Sequence, residues 1–210
     1  MSCAQAVRTD GAALVLQHDH SRSFVVGVAG RLSRQIADLQ FTMGQGPTFD
    51  VQGGATVLVP DVTCERSAHR WPLFAPAAAE LGIRALFALP LVAEDITIGA
   101  LQLYRTRPAP LSPVELVEAM TYAQAAAELL VQHDRSGDQP QHWIVDTGLG
   151  GRAEIYQAAG WLAAKRGISV DDALIRLKAY AYCRDQPIAQ LALAVLADDP
   201  LTHDLVKDPP

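Results

Sequence analysis

The amino-acid sequence predicts an α+β domain, in which helices cover an antiparallel sheet, followed by a small all-α domain of three helices. Up to about residue 133, the apolar residues alternate between the period of two typical of strands and the period of 3.6 typical of helices. Residues 152–196 then hold three short amphipathic segments with almost no linker between them. We therefore expect a first domain at residues 1–134, a linker at 135–150, a helical domain at 151–200 and a fraying tail at 201–210.

The first domain is predicted to have the element order strand, strand, helix, strand, helix, strand, strand, helix. Residues 11–16 and 23–29 form a predicted hairpin around a polar turn at 18–21, followed by a helix at 31–39 and a strand at 56–59. A helix at 74–81 precedes a second hairpin, 85–91 with 96–103, which turns at Glu94 and Asp95. The last helix begins with Ser112, Pro113 and Glu115, a capping box with proline in the first turn, and runs to about residue 132. This order is typical of an antiparallel sheet covered by helices.

Each of the three C-terminal segments has one apolar face and a recognisable start or stop. Gly167 ends the first segment, and Ser169 with Asp172 three residues later is an N-cap pattern for the second. Pro187 is the expected first-turn residue of the third. The predicted buried positions are Ile155, Ala158, Ala159, Leu162, Val170, Ala173, Leu174, Leu177, Ala181, Ile188, Leu191, Ala192 and Val195.

The order of residues in these helices carries a resemblance to one family. The matching positions are Arg152, Ile155, Gln157, Ala158, Gly160, Leu162, Arg166, Gly167, Ser169, Ala173, Leu177, Lys178, Ala181, Leu191 and Ala192. Together they resemble the ANTAR domain, a three-helix RNA-binding module of bacterial transcription antiterminators. Two positions depart from its pattern, since the family usually has Lys in place of Ala159 and Arg in place of Lys178. The resemblance implies binding, usually as a dimer, to paired hairpins in an mRNA leader, which prevents a terminator from forming.

Basic side chains of this module are the expected contacts to an RNA backbone. Arg152, Ala159 and Arg166 lie seven residues apart and so within about 20° of one another around the helix, which predicts a stripe along the edge of the apolar face with its charges outward. Residues 152–196 contain six basic and four acidic residues, whereas the whole chain has a net charge of −6, so RNA contacts must come from this local patch. Exposed tyrosines are candidates for base stacking. The predicted RNA-binding residues are Arg152, Gln157, Arg166, Ser169, Arg176, Lys178 and Tyr182.

Three segments of the first domain, residues 39–47, 57–61 and 98–101, occur in order ahead of Leu111, Ser112 and Pro113. In this order they resemble a GAF domain, which implies a sensor that holds a small molecule between the sheet and the loops above it, or a protein contact module. The sequence assigns no ligand. Cys64 could carry a bilin and His69 could bind haem, but an apolar pocket, or none, is favoured. Gly44 and Gly46 are interpreted as turn residues ahead of Pro47.

Catalytic, metal and membrane functions have little support in the sequence. The glycine-rich residues 148–151 follow no predicted strand and precede no Lys-Ser or Lys-Thr pair, and neither Gly-x-Ser-x-Gly nor His-Glu-x-x-His occurs. The three cysteines have no zinc-site spacing. No apolar run approaches the roughly 18 residues of a membrane span. We expect a cytoplasmic protein that is not an enzyme, with no cofactor, no metal and no membrane contact.

The predicted function is a transcription antitermination regulator in which a GAF-like sensor controls an ANTAR-like module. A small-molecule ligand in the sensor and a homodimer, formed through the helix at 112–132 with Val117, Ala125 and Leu129, complete the prediction. The alternative is a protein-interaction adaptor or small-molecule sensor whose ANTAR-like helices no longer bind RNA.

Overall fold

The structure, a computed structural model, describes residues 3–17, 23–135, 152–184 and 186–206. The chain divides into two compact units, Met1–Asp146 and Thr147–Pro210. In the described residues, no helix combines the length and the apolar character that a membrane span requires.

The first unit is built on one five-stranded antiparallel sheet. Its strands are β1 (Gly11–Gln17), β2 (Ser23–Ala29), β3 (Val57–Val59), β4 (Ala85–Ala93) and β5 (Ile96–Arg105), and their order is β2-β1-β5-β4-β3. Both predicted hairpins are confirmed, although the turn expected at 18–21 lies outside the described residues. Glu94 and Asp95 have φ of 48° and 67°, which fits the two-residue turn that matches the twist of the strands.

In the described part of this unit the helices are α1 (Cys3–Ala6), α2 (Ser33–Met43), α3 (Pro47–Asp50), α4 (Glu65–Arg70), α5 (Phe74–Glu80) and α6 (Pro113–Arg135). A 3-10 turn at Val51–Gly53 continues α3. Relative to the prediction, α2 is shifted towards the C-terminus and α6 is longer by about one turn. The sequence analysis did not predict α3 or α4, because each is too short to show a helical period.

The sheet separates two apolar cores. On one face, Ile36, Trp71 and Phe74 pack against Leu86 and other residues of β3, β4 and β5. On the other face, residues of α1 and α6 cover Phe87, Leu89, Leu101 and Leu103. Neighbouring residues such as Leu86 and Phe87 point to opposite faces, as the period of two requires. Both faces are therefore covered by helices, which explains why β4 is apolar almost throughout.

The capping box that begins α6 is confirmed. The Ser112 amide donates to the Glu115 carboxylate at 2.7 Å, and the Glu115 amide donates back to the Ser112 hydroxyl at 3.3 Å. The same carboxylate accepts from Arg105 at the end of β5, at 2.9 Å. This pair joins the start of α6 to the sheet.

The second unit contains α7 (Ala153–Arg166), α8 (Val170–Cys183), α9 (Ile188–Leu196) and α10 (His203–Val206). The three predicted helices are present, and Gly167 ends α7 with a φ of 66°. The Ser169 hydroxyl accepts from the Asp172 amide at 3.0 Å, as expected of an N-cap. Of the predicted core positions, only Val170 is exposed. The expectation that the chain frays after Pro200 is wrong for residues 200–206, which form a 3-10 turn and α10.

Candidate functional site

A buried polar network lies between the sheet and helices α2 and α3 of the first unit. The Gln40 side-chain oxygen accepts from the Thr48 amide at 2.9 Å and from its hydroxyl at 3.0 Å, while the Gln40 amide nitrogen donates to Gln102 of β5. Gln102 in turn donates to the Ser33 carbonyl at 3.4 Å. Both amide side chains are fully buried, so these bonds offset the cost of removing them from water. They fix the loop of residues 44–48 against the centre of the sheet.

Gly46 is required by this network. Its φ of 130° is a backbone conformation that L side chains rarely adopt, and a Cβ atom there would overlap the side chain of Gln40. Gly44 also has a positive φ, 63°. The prediction that these two glycines serve the turn ahead of Pro47 is confirmed.

A second polar cluster holds α4 against the end of α3. The Asp50 carboxylate accepts from Arg70 at 2.7 Å and from the Trp71 indole at 3.1 Å. The Arg70 guanidinium also lies 5.0 Å from the Trp71 ring centroid, within the range of a cation–π contact. All three side chains therefore act on each other, which favours a structural role for the cluster.

The two cofactor candidates in this unit, Cys64 just before α4 and His69 in its last turn, are both exposed. The Cys64 sulfur lies 3.2 Å from the Ser67 hydroxyl, and this hydrogen bond lowers the pKa of the thiol. His69 is exposed as well, with Nδ1 2.8 Å from the Glu65 carbonyl in the same helix. Burial, by contrast, raises the pKa of the Cys3 thiol to about 11. Cys64 is thus the more acidic of these two thiols.

The C-terminal helices do not expose the predicted basic stripe. Arg152 is only 3% exposed, so the expectation that its charge points outward from the edge of the apolar face is wrong. Ala159 is fully buried, as its place on the apolar face predicted. Helices α8 and α9 both pack on α7, and its buried face is wide, since it includes Ala159 together with Ile155 and Leu162. Arg166 is half-buried, and its guanidinium donates to the Leu205 carbonyl at 3.1 Å.

The other predicted RNA-binding residues differ in their exposure. Gln157 and Tyr182 are exposed, the latter by 48%. Ser169 is exposed too, but its hydroxyl donates to the Asp172 carboxylate at 2.7 Å and accepts from the Asp172 amide, so it has a structural task as N-cap. Arg176 and Lys178 are half-buried. Gln157 and Tyr182 therefore keep the most accessible positions.

Lys178 lies in a partly desolvated environment. Burial, and secondarily the positive charge of Arg152, lower the pKa of its ammonium group from 10.5 to about 8. The protonated form of Lys178 therefore has a higher free energy in the folded module than in the unfolded chain, where the pKa of the group is normal. By linkage, this penalty is complete below about pH 8 and disappears as the pH rises to 10.5.

We accordingly expect Lys178→Met to stabilise the protein at pH 7 by about 1–3 kcal/mol, less than the full shift would give because relaxation and solvent reduce it. The gain should shrink as the pH approaches 10. Urea unfolding monitored by circular dichroism at pH 7 and pH 10 gives the free energy of unfolding of the variant and of the wild type. The difference between the two is the gain. Lys165→Met, at an exposed lysine of α7, is the control and should change little at either pH. A gain that is the same at both pH values would contradict the linkage.

Tyr180 and Arg184, which were not among the predicted RNA-binding residues, contact the same segment, residues 200–206, as Arg166 does. The Arg184 guanidinium is 4.5 Å from the Tyr180 ring centroid. Residues 200–206 bridge these groups, since the Tyr180 hydroxyl donates to the Leu201 carbonyl at 2.8 Å and Arg184 lies 3.6 Å from the Asp204 carboxylate. The spacing of four between Tyr180 and Arg184 indicates a shared helix face. Their common contact with Arg166 is through residues 201–205, which no local pattern in the sequence predicts.

Comparison with known proteins identifies the first unit. The family model of the GAF domain matches residues 2–133. The chain belongs to the GAF domain family. A search of curated protein sequences gives no significant match.

Solved structures agree with this family for the GAF unit. The domain of a two-component sensor histidine kinase from Sinorhizobium meliloti 1021 is 25% identical, with a TM-score of 0.51 over 64% of this chain and 87% of that one. The GAF domain of a phosphoenolpyruvate-protein phosphotransferase from Coxiella burnetii is 18% identical, with a TM-score of 0.51 over 65% and 80%. GAF3 from Slr1393 of Synechocystis sp. PCC6803, in its photoproduct state, is 12% identical, with a TM-score of 0.51 over 64% and 90%. The last two likenesses concern the fold alone.

Proposed function

We propose that this protein is a transcription antitermination regulator, in which the GAF domain receives a signal and helices α7, α8 and α9 bind paired hairpins in an mRNA leader. The observation that carries this proposal is the agreement between the ANTAR-like sequence pattern and one packed core. Ile155, Ala158, Leu162, Leu177 and Leu191 are motif positions, and all of them are buried where the three helices meet. The pattern thus has the structural role that an ANTAR module would give it.

The proposed RNA surface consists of accessible polar and aromatic groups. Tyr182 offers a ring for an unpaired loop base, and Gln157 offers a hydrogen-bonding amide. The half-buried guanidinium of Arg176 and ammonium of Lys178 supply charge for phosphates on either side of α8. We place the protein in the cytoplasm, where nascent mRNA is found, and give it no catalytic role.

The proposal is tested by measuring binding to a labelled two-hairpin RNA, by fluorescence anisotropy, over a range of salt concentrations. Tyr182→Ala should weaken binding roughly 10- to 100-fold, the usual contribution of one stacked base, with an unchanged salt slope. Arg176→Gln should instead lower the salt slope by slightly under one for one lost phosphate contact. Leu193→Ala changes an exposed side chain on α9 and is the matched control. Equal affinity for a scrambled RNA without hairpins would contradict hairpin recognition.

A protein-interaction adaptor is the second candidate, and specific observations favour it. The basic stripe is largely buried, while α8 and α9 expose the apolar side chains of Ile175 and Leu193. Such side chains suit contact with a protein partner better than contact with phosphates. If the two-hairpin RNA does not bind at any salt concentration, the adaptor becomes the better account of the module.

The GAF domain is expected to form a homodimer through the outer face of α6. Val117 and Leu129 are 61% and 65% exposed, and Val114 and Met120 are exposed on the same helix. Such a row of apolar side chains on an otherwise capped and packed helix is typical of a protein contact. Light scattering should show a dimer at micromolar concentration, and Val117→Glu with Leu129→Glu should shift it to monomer. Ile96→Glu, at an equally exposed residue of the β4–β5 hairpin, should leave the dimer intact. A monomeric wild type would contradict the expectation.

A further inference from the structure

Residues 200–206, here named the strap, fold back onto the three-helix module. The reversal begins after α9, where Asp198 has a φ of 55°. Asp199 then organises the strap, because its carboxylate accepts from the Leu201 amide at 2.9 Å and its carbonyl accepts from the Thr202 amide at 2.8 Å and hydroxyl at 2.7 Å. Leu205 is only 6% exposed. The strap is therefore held by an apolar anchor and a capped turn.

The strap satisfies hydrogen-bond donors of the module with its own oxygen atoms. The guanidinium of Arg166 on α7 donates to the Leu205 carbonyl, and the Tyr180 hydroxyl on α8 donates to the Leu201 carbonyl. Arg184, at the end of α8, faces the Asp204 carboxylate. The two carbonyl groups are four residues apart and so roughly 6–8 Å apart along the short helical turns. Two cations and a hydroxyl thus meet a short row of oxygen acceptors.

The chemistry of this row matches that of a phosphodiester backbone. Arginine guanidinium groups and tyrosine hydroxyls are regular donors to phosphate oxygens in nucleic-acid complexes. The charges are complementary as well, since residues 198–206 contain Asp198, Asp199 and Asp204 and no Lys or Arg. Residues 152–196, by contrast, contain two more basic than acidic residues, six against four. The strap therefore offers the module what an RNA strand would offer it.

We propose that Arg166, Tyr180 and Arg184 form a phosphate-binding site for RNA and that the strap is its intramolecular competitor. The strap occupies the site in the free protein and leaves it when RNA binds. Closure of the strap multiplies the association constant for RNA by the fraction of molecules whose strap is open. This inference rests on the proposed function, because RNA is the ligand that displaces the strap.

Opening the strap by mutation should therefore tighten RNA binding. Leu205→Ser removes the buried anchor, and Leu201→Ser makes the same change at a side chain that is 71% exposed. Hydrogen exchange of the strap amides in the full chain reports whether the strap has opened. Anisotropy with the labelled two-hairpin RNA then reports affinity. We expect Leu205→Ser to lose exchange protection in the strap and to bind about tenfold more tightly, while Leu201→Ser behaves like the wild type.

Asp204→Asn provides a second variant that cannot disturb packing, because Asp204 is exposed. It removes only the carboxylate that faces Arg184 and should tighten binding roughly two- to threefold. If the strap opens in Leu205→Ser but the variant binds RNA no more tightly than the wild type, the strap does not compete with RNA. Strap amides that keep their protection in Leu205→Ser also overturn the competitor, because Leu205 is its anchor. If RNA binds to none of the variants, the proposed function itself fails and the competitor with it, whereas equal binding by all of them removes the competitor alone.

Discussion

Gly99→Ala should destabilise the GAF domain by about 3 kcal/mol, near the upper end of the range for overpacking. Gly99 of β5 pairs with Leu16 of β1 on one side and with Leu91 of β4 on the other. A Cβ atom at this position would overlap the backbone carbonyl oxygen of Val15 and lie 3.0 Å from the Leu16 Cα. Neither atom belongs to a flexible side chain, so the variant must separate β1 from β5. The β1–β5 pairing is one of the two inner pairings of the order β2-β1-β5-β4-β3.

Gly27→Ala in β2 is the matched control for this effect. Its Cβ would meet the Leu14 side chain at 3.8 Å, an ordinary van der Waals distance. This variant should be neutral or slightly stabilising, because alanine restricts the unfolded chain more than glycine does. Calorimetry of the two variants should show a melting temperature about 10 °C lower for Gly99→Ala alone. Equal melting temperatures would mean that β1 and β5 can separate at little cost.

Much of the GAF domain could be predicted from the sequence because its elements carry strong local signals. The strands at 11–17, 85–93 and 96–105 show apolar runs bounded by turn residues, and Ser112 with Glu115 is a capping box. The short helices α3 and α4 carry no such signal. They are held by tertiary contacts, namely Gln40 with Thr48 and Asp50 with Arg70, between residues 8 and 20 positions apart. Such contacts do not follow from a local period.

The candidate RNA surface was less predictable, because a helical period gives the direction of a residue and not the width of the buried face. Arg152 was placed at the edge of the apolar face of α7 with its charge outward, but it is only 3% exposed. Likewise, Tyr180 was only one of several tyrosines available for stacking, and Arg184 was only one of six basic residues in the local patch. Their link to Arg166 runs through the strap, whose acidic, proline-containing sequence gave no helical signal. The sequence predicts the angular position of each side chain around its helix, but not which other segments pack over that side chain.

Ala159→Lys should therefore destabilise the three-helix module by about 2–4 kcal/mol, although the resemblance to ANTAR domains indicates a lysine at this position. Ala159 is fully buried, and the module already holds a buried Arg152 and a partly desolvated Lys178, whose pKa is lowered by burial and then by the charge of Arg152. A third cation there would lose hydration and meet like charges.

Ala164→Lys, at an exposed residue of the same helix, is the control and should change stability by less than about 0.5 kcal/mol. Calorimetry measures the stability of both variants, and anisotropy with the two-hairpin RNA measures their salt dependence. The opposite outcome is equally clear. If Ala159→Lys melts like the wild type and its salt slope is steeper by slightly under one, the new ammonium reaches solvent and contacts a phosphate. Position 159 would then belong to the RNA surface. The short alanine side chain is buried there, whereas a lysine would be long enough to reach solvent.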